Sequence, residues 1–232
     1  MTSARGTADG PRTRGGWTPA GTAARRRSAQ ADHGTDRGQR TRRLILDAAR
    51  RVFERDGYLD AGIDEIVAEA GVARGSFYTY FPSKLEAFKL LAAEVGESVA
   101  AAVAPEPGER GLDPVAALDR ANRRYLDAYR QYAAIYGLIE QLASIDPELL
   151  ALRQRYRQLH VDRVAARIRS WQRRGLAARD LDPATAAAAL VSMMSNFCYW
   201  WLVGGEEHDA QTAAVTLTSL WARAVGLRES AG

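Results

Sequence analysis

Cysteine and histidine are scarce in this sequence, and their scarcity removes two kinds of site. Cys198 is the single cysteine, so a disulfide framework within the chain is excluded and a reducing, cytoplasmic location is expected. The three histidines, His33, His160 and His208, are too widely spaced to match a zinc-binding pattern. We therefore expect neither a metal nor a cofactor.

Catalytic constellations are also missing. The sequence has no Ser-His-Asp, Cys-His or paired-carboxylate set at a spacing typical of an active site. It has no glycine-rich loop that could hold a phosphate. We predict that the protein is not an enzyme, and an enzyme or carrier with an aromatic helical pocket remains the less favoured alternative.

Excess positive charge is confined to the N-terminus. The formal net charge is +4, and residues 1–38 account for it with 7 arginines and 3 aspartates. This segment has few aliphatic residues and no apolar run of signal-peptide length, so residues 1–38 are predicted to be a disordered basic tail. The tail is either an arm that holds DNA electrostatically or a solubilising extension.

Helical periodicity begins at Thr41. A first helix, which Gly57 ends, is predicted from an apolar stripe formed by Leu44, Ile45, Ala48, Ala49, Val52 and Phe53. A second, short helix is predicted over 63–70. Gly71 follows it and supplies a left-handed turn that other residues would resist.

The third predicted helix starts at Ala73 and carries two different faces. Phe77 and Phe81 are four residues apart and are expected to pack inward. The opposite face consists of Arg74, Gly75, Ser76, Tyr78, Thr79 and Tyr80. Two short helices that are joined by a tight turn and packed on a longer helix form a helix-turn-helix, whose second short helix reads DNA.

The outward face has chemistry suited to DNA. Arg74 can pair with a guanine edge or hold a phosphate. Gly75 lets another backbone come close to the helix. Tyr78, Tyr80 and Lys84 can reach phosphates, and the tyrosines can also contact sugar or a thymine methyl group.

The run AARRVFERDGYLDAGIDEIVAEAGVARGSFYTYFPSKLEAF resembles the DNA-binding domain of the tetracycline-repressor (TetR) family. Residues 40–95 follow the pattern of that family almost continuously. The resemblance implies an all-α protein with a helix-turn-helix domain over 39–90. A helical ligand-binding and dimerisation domain would follow over 91–232.

Two positions depart from the family pattern, and two arginines add to the predicted surface. Gly62 and Ala73 stand where members commonly carry a Ser or Thr that caps a helix and touches phosphate. Arg42 and Arg43 stand at a helix start, where the helix dipole disfavours cations unless a phosphate lies opposite. The predicted DNA-contacting residues are Arg42, Arg43, Gly62, Ala73, Arg74, Gly75, Ser76, Tyr78, Thr79, Tyr80 and Lys84.

The remainder of the chain is predicted to be helical. Asp-Pro pairs at 113–114, 146–147 and 182–183 are typical of helix starts, and Asp209 is a further candidate cap. The predicted helices cover 114–144, 147–175, 183–203 and 209–226.

Residues 183–203 carry no charge, which raises the question of a membrane. The segment is long enough to span a bilayer, but its many alanines and its internal Ser, Thr and Asn residues argue against that. A helix that is buried partly by its own core and partly by a second subunit is favoured, and we expect no membrane partner.

Dimerisation follows from both function and resemblance. A palindromic operator requires two recognition helices in successive major grooves. In TetR-like proteins the last two long helices of each subunit pack across a two-fold axis. The predicted interface residues of the homodimer are Ala187, Leu190, Met194, Trp201, Leu217, Trp221 and Val225.

Aromatic residues are dense enough in the second domain to form a cavity for a small apolar or amphipathic ligand. The family places its inducer between these helices, although core or interface packing could explain each residue singly. The predicted ligand-binding residues are Tyr125, Tyr129, Tyr132, Tyr136, Trp171, Met193, Asn196, Phe197 and Trp200. Eight arginines over 147–175 leave an anionic ligand open.

The sequence thus predicts a TetR-like DNA-binding transcriptional regulator. The leading hypothesis is a repressor that a mostly apolar ligand releases from double-stranded DNA by shifting the helix over 83–103. The alternative is a DNA-binding regulator without a small-molecule ligand, or one that activates.

Overall fold

The computed structural model describes residues 36–105 and 112–227, and within these ranges it contains helices and no strands. The all-α prediction is confirmed. Residues 1–35 of the predicted basic tail lie outside the described ranges. The helices are α1 (Asp36–Asp60), α2 (Ile63–Ala70), α3 (Arg74–Tyr80), α4 (Lys84–Ala102), α5 (Pro114–Gln131), α6 (Ala133–Ala143), α7 (Pro147–Arg173), α8 (Pro183–Leu202) and α9 (Ala210–Ala224).

Helix α1 starts earlier than its sequence pattern predicts, and it buries the predicted apolar stripe except for Leu44. It begins at Asp36, ahead of the apolar stripe, so residues 36–38 are helical. Leu44 is 48% exposed, whereas Leu46 is 1% exposed, so the inward position of Leu44 was wrongly predicted. At 100° per residue Leu46 falls beside Phe53 on the buried face, and Leu44 falls beyond its edge.

Glycines shape the helix-turn-helix as expected. Gly57 interrupts α1 with a φ of 76°, and one further turn carries the helix on to Asp60. Gly71 ends α2 in the left-handed region with a φ of 66°. Both predicted breaks are confirmed.

The predicted helix over 114–144 is two helices, α5 and α6, which break at Tyr132. The break has a packing reason. Leu126 and Tyr129 on α5 belong to the core of the second domain, whereas Ile135 and Leu138 on α6 belong to the core beneath the helix-turn-helix. A single straight helix would have to bury both sets in one direction.

Aspartates cap the long helices as predicted. The carboxylates of Asp113, Asp146, Asp182 and Asp209 accept hydrogen bonds from backbone N–H groups in the first turns of α5, α7, α8 and α9. The backbone hydrogen bonds hold the pKa values of Asp146, Asp182 and Asp209 below the usual range.

The described residues form two hydrophobic cores, and α4 runs without a break through the predicted boundary at residue 90. The first core joins α1–α4 to α6, and the second lies among α5, α7, α8 and α9. Across the described ranges, α8 included, no helix is long and apolar enough to cross a membrane.

The predicted dimer interface needs a correction. Ala187, Leu190, Met194, Leu217, Trp221 and Val225 are at most 7% exposed, and all lie in the second core of a single subunit. Side chains that are already buried within one subunit cannot form the contact surface with another. Only Trp201 of the predicted set is partly exposed, and Arg130 stacks over its ring at 5.0 Å.

Candidate DNA-binding surface and ligand cavity

Two phenylalanines anchor α3 and thereby fix its outward face. Phe77 is fully buried and Phe81 is 3% exposed, with their ring centroids 5.5 Å apart in the first core. Tyr78, on the other side of the helix, is 49% exposed. Since α3 has only seven residues, this apolar anchoring rather than helix propensity holds it in place.

Arg74 is exposed at the start of α3 and pairs with Asp64 of α2. Hydrogen bonding to Tyr78, and then to Asp64, raises the pKa of Arg74 above its ordinary value. The guanidinium group therefore stays charged and bridges the two short helices. A phosphate or a base edge would bind the Arg74 guanidinium together with Asp64 or in place of it.

Gly75 is surrounded by open space. A Cβ added there would meet no protein atom within 4 Å, and its backbone has no positive φ to favour glycine. Glycine within a helix costs about 1 kcal/mol relative to alanine. The fold therefore gives no reason for Gly75.

The N-caps of α2 and α3 lack side-chain hydrogen bonds. A Cβ on Gly62 would overlap the Glu65 carboxylate, which occupies the position that a serine or threonine side chain would take. Ala73 caps α3 without any polar group and is exposed. The first N–H groups of both helices are therefore not capped by the preceding side chain.

The two predicted arginines of α1 differ in their surroundings. The guanidinium carbon of Arg42 lies 5.5 Å from the centroid of the Phe81 ring. Arg43 is paired with Asp47 and Glu94, each at 2.8 Å, and these bonds, Asp47 first, raise its pKa. Arg42 therefore lies beside the end of α3, whereas much of the charge of Arg43 is balanced within the protein.

Lys84 is directed into the protein. Its Nζ donates to the backbone carbonyl oxygens of Tyr58 at 2.6 Å, Ala61 at 2.7 Å and Leu59 at 3.3 Å, and it lies 4.5 Å from the Tyr58 ring centroid. Burial lowers the pKa of Lys84. The ammonium group thus joins the start of α4 to the end of α1, which sequence spacing alone did not indicate.

A cavity of about 750 Å³ lies among α4, α5, α6, α7 and α8. The structure brings six of the nine predicted ligand-binding residues to its wall. They are Tyr125, Tyr129, Tyr136, Met193, Asn196 and Trp200. The rings of Tyr129 and Tyr136 stack at 4.3 Å, and burial raises the pKa of both hydroxyl groups.

Three predicted residues lie elsewhere. Arg50 stacks over the ring of Tyr132, with its guanidinium carbon 4.8 Å from the centroid, beside the first core. Phe197 packs near Trp201, with centroids 5.8 Å apart. Trp171 lines a second cavity of about 450 Å³, which lies among α5, α7, α8 and α9.

Polar residues that the aromatic pattern did not predict also line the 750 Å³ cavity. Arg153 pairs with Glu140 at 2.5 Å, and Arg157 donates to Ser192 at 2.8 Å. His160 also lines this cavity. Its burial, and to a lesser extent the charge of Arg163, lowers its pKa to about 4. The cavity therefore combines an aromatic wall with hydrogen-bonding groups, and its histidine is neutral at pH 7.

Helix α4 connects the cavity to the helix-turn-helix. Its residues Ala92 and Gly96 form part of the cavity wall, and Lys84 at its start holds α1. Between them, Lys89 pairs with Glu148 at 2.7 Å and with Asp146 at 3.4 Å, both at the start of α7. A displacement of α7 or α4 at the cavity would therefore change the position of the helix-turn-helix, which includes α3.

Comparison with known proteins agrees with this geometry. Residues 45–91 match the family of bacterial regulatory proteins named tetR. The chain is 34% identical over 103 residues to TtgW of Pseudomonas putida, an uncharacterized HTH-type transcriptional regulator. The aligned region covers 43% of this chain and 77% of TtgW. The chain belongs to the TetR family. Its predicted membership and its function as a DNA-binding transcriptional regulator are thereby confirmed.

Two further similarities extend over most of this TetR-family protein. The HTH-type transcriptional repressor BepR of Brucella suis is 28% identical over 184 residues, which covers 73% of this chain and 84% of BepR. The crystal structure of a TetR-like transcriptional regulator from Rhodococcus sp. RHA1 aligns with a TM-score of 0.63 and 26% identity, over 80% of this chain and 96% of that one. Members of the family bind DNA, dimerise and are not enzymes.

Proposed function

We propose that this TetR-family protein is a homodimeric repressor that binds a palindromic operator and is released by a mostly apolar small molecule. The observation that carries the proposal is the 750 Å³ cavity, because its wall includes the same helix, α4, whose start holds the helix-turn-helix. Similarity to BepR, which is named a repressor, supports repression over activation.

Operator contacts in this proposal centre on α3. Arg74 reads a base edge or holds a phosphate, and the open space at Gly75 admits the DNA backbone. Ser76, Tyr78, Thr79 and Tyr80 complete the contact face. The uncapped N–H groups after Gly62 and Ala73 are donors for phosphates, with Arg42 and Arg43 at the margin.

Lys84 has a different role in the proposal from the phosphate contact predicted for it. Its three carbonyl partners favour a positioning residue, which sets the angle between α4 and the end of α1. That angle orients α3 toward the DNA.

The homodimer interface in this proposal uses the outward faces of α8 and α9. Half-exposed apolar residues lie there, namely Trp200 at 50%, Val215 at 47% and Leu220 at 47%. The resemblance to other TetR-like proteins supports the use of these two helices. Exposed apolar side chains on neighbouring turns are typical of subunit contacts.

Induction in this proposal is a change in the population of two arrangements. A ligand between the tyrosines of α5 and the C-terminal half of α8 contacts α4 at Ala92 and Gly96. If it binds better when α4 is displaced, it favours that arrangement, and the spacing of the two α3 helices no longer matches the operator.

DNA binding in solution tests the first part of the proposal. Fluorescence anisotropy would follow a labelled fragment of the region upstream of the protein's own gene, titrated with wild-type protein, Arg74→Ala and Arg173→Ala. Arg173 is an exposed arginine at the far end of α7, so it controls for the loss of one charge. We expect specific binding by wild type and Arg173→Ala and a loss of about 1–3 kcal/mol in Arg74→Ala. Equal binding by all three would refute the role of Arg74.

A ligand screen tests the second part. Compounds that raise the midpoint of thermal unfolding would be added to the protein–DNA complex, and an inducer should release the DNA. Ala189→Phe places a large side chain at the cavity wall and should abolish both effects without weakening the operator complex. Release of DNA that persists in Ala189→Phe would place the ligand elsewhere.

A further inference from the structure

Three tyrosine hydroxyl groups in the 750 Å³ cavity are donors without an acceptor. Tyr125, Tyr129 and Tyr136 line the wall, and their hydroxyls have no hydrogen-bond partner among the described residues. Their rings form a row, with centroids 6.0 Å apart between Tyr125 and Tyr129 and 4.3 Å apart between Tyr129 and Tyr136. The three hydroxyls therefore belong to one continuous stretch of the wall.

The position of Tyr129 shows that such a hydroxyl opens onto the cavity. The residue is 3% exposed. Across the described ranges, the Trp221 indole carries the one side-chain nitrogen or oxygen that is both enclosed by protein atoms and without a partner. The Tyr129 oxygen is thus unpartnered but not enclosed, and the space it reaches is the cavity that its ring lines. Buried polar groups have partners in folded proteins, so a ligand or water supplies the acceptor there.

The charged side chains of this lining leave one positive charge unbalanced. Glu140 and Arg153 pair at 2.5 Å and neutralise each other. Arg157, one turn further along α7, donates to Ser192 at 2.8 Å and to the carbonyl oxygen of Ala188 at 3.3 Å, and both of these acceptors are neutral. Within the described ranges Arg157 pairs with no carboxylate. An anionic group therefore complements the lining better than a neutral or cationic group does.

His160 indicates the same sign of charge. It follows Arg157 by about one turn of α7, and its ring contacts that of Tyr125 with centroids 6.0 Å apart. Burial and then the charge of Arg163 lower the pKa of His160, and no carboxylate among the described residues raises it. Surroundings that disfavour a protonated imidazole also disfavour a cationic ligand.

We propose that the ligand of the 750 Å³ cavity is an amphipathic carboxylate, with a mostly apolar body and a single anionic head. The head accepts hydrogen bonds from the tyrosine hydroxyls of α5 and α6 and pairs with Arg157. The body packs against Ile139, Leu152 and Met193 of the same wall. This assignment rests on the proposed function, in which the cavity holds the inducer, and it names the chemical class of that inducer.

The second cavity is the competing place for an anion. Arg163 and Arg167 line it, and its lining contains no aspartate or glutamate. Of the row of tyrosines, however, it includes Tyr125 alone. The combination of several open hydroxyls with an arginine therefore favours the 750 Å³ cavity, and the test must distinguish the two.

Two probes of the same shape test the charge of the ligand. 2-Naphthoate is anionic at neutral pH, and 2-naphthamide is its neutral counterpart. In calorimetry with the full-length protein, we expect 2-naphthoate to bind about tenfold more tightly than 2-naphthamide. Equal affinities, tighter binding of the amide, or no binding of either probe would overturn the proposal.

Arg157→Gln tests the arginine, because glutamine can still donate to Ser192 but carries no charge. It should weaken 2-naphthoate about threefold to tenfold and leave 2-naphthamide within about twofold. Arg173→Gln removes an exposed charge at the far end of α7 and should leave both affinities unchanged. Equal losses in the two variants would show that the charge of Arg157 acts only at long range and would refute its pairing with the head.

Tyr129→Phe tests the row of hydroxyls. It should weaken 2-naphthoate about tenfold, because a hydrogen bond to a charged acceptor is lost. Tyr132→Phe, at the break between α5 and α6, removes a hydroxyl outside the cavity and should not change the affinity. Binding by Tyr129→Phe at the wild-type affinity would refute the contact between the hydroxyls and the head.

Two further variants locate the probe. Ala189→Phe, at the wall of the 750 Å³ cavity, should abolish binding of 2-naphthoate, whereas Ala121→Phe, at the wall of the second cavity, should not. The reverse result would place the anion in the second cavity and refute the assignment. Circular dichroism checks that each variant folds, and the comparison of the two probes on wild-type protein depends on no variant.

The calorimetry uses no DNA, so its failure is distinguishable from a failure of the proposed function. Binding of 2-naphthoate with the expected dependence on Arg157 and Tyr129 supports the ligand class even if the operator complex persists. In that case the proposed induction, and not the chemistry of the cavity, would be wrong.

Discussion

Gly96 of α4 packs directly against the ring of Tyr156 on α7. A Cβ at position 96 would overlap that ring, and both residues line the 750 Å³ cavity. The closeness of α4 and α7 at this point therefore depends on the absence of a side chain. Glycine within a helix is unfavourable, so the close approach has a cost that the contact must offset.

Gly96→Ala should imitate a ligand. The added methyl group forces α4 and α7 apart or displaces the Tyr156 ring, and we expect weaker operator binding in the absence of any compound. Anisotropy with operator DNA measures this. The double variant Gly96→Ala/Tyr156→Ala removes the obstruction and should bind DNA as Tyr156→Ala alone does. If Gly96→Ala binds the operator like wild type, the α4–α7 spacing does not control DNA binding.

Gly75→Ala should separate stability from DNA binding. Because an added Cβ meets no protein atom, the substitution should raise the free energy of unfolding by up to about 1 kcal/mol through helix propensity. The same methyl group would obstruct a DNA backbone that approaches α3, so operator affinity should fall. Thermal unfolding and anisotropy on one preparation give both quantities. Unchanged affinity would mean that DNA does not approach Gly75.

Ala73→Thr should supply the missing cap of α3. A threonine hydroxyl at this exposed position can accept from the N–H groups of the first turn, which is worth about 1 kcal/mol of stability. Ala73→Val has nearly the same shape without the hydroxyl and is the matched control. Denaturant unfolding should rank Thr above Val by about that amount. Equal stabilities would show that the hydroxyl makes no cap.

Local sequence patterns predicted the helix-turn-helix well. The predictions that failed concern which neighbouring element or subunit a side chain packs against. The Gly71 turn and the Asp-Pro helix starts at 113, 146 and 182 depend on neighbouring residues, so short-range chemistry suffices. Leu217 and Trp221 were wrongly placed at the subunit interface. An apolar stripe has the same sequence whether it packs within one chain or between two.

The inward orientation of the Lys84 side chain could not be predicted from the sequence for a related reason. Its partners are carbonyl oxygens more than twenty residues earlier, at a helix end whose position follows from the packing of α1 on α4. Similarly, an aromatic series on α5 and α6 predicted Tyr125 and Tyr129 at a cavity. It could not predict that the break at Tyr132 turns that side chain toward Arg50.

Lys84→Met tests whether this lysine positions a helix or contacts a phosphate. Methionine keeps the apolar stem but removes three hydrogen bonds to carbonyls, so stability should fall by about 1.5–3 kcal/mol. The dependence of operator affinity on salt concentration should keep its slope. A phosphate contact would instead reduce the salt slope by about one and leave stability nearly unchanged.

His160 should make the fold sensitive to mild acid. Its pKa of about 4 lies below the unfolded value of 6.5 because burial, and then Arg163, disfavour the charged ring. The unfolded chain therefore binds the proton more readily between these values, and stability that is complete above pH 6.5 is lost as the pH falls toward 4. Between pH 7.5 and 5 the loss should be about 2 kcal/mol.

Urea unfolding of wild type, His160→Gln and His208→Gln at the two pH values measures this loss. His160→Gln should lose markedly less stability on acidification, because its side chain has no charge to gain. His208 is exposed, so His208→Gln should follow the wild type and controls for the removal of a histidine. The helix-capping carboxylates Asp146, Asp182 and Asp209 have lowered pKa values, so their contribution is retained in this window and is lost only at lower pH. A wild-type loss that His160→Gln reproduces in full would assign the acid sensitivity to other groups.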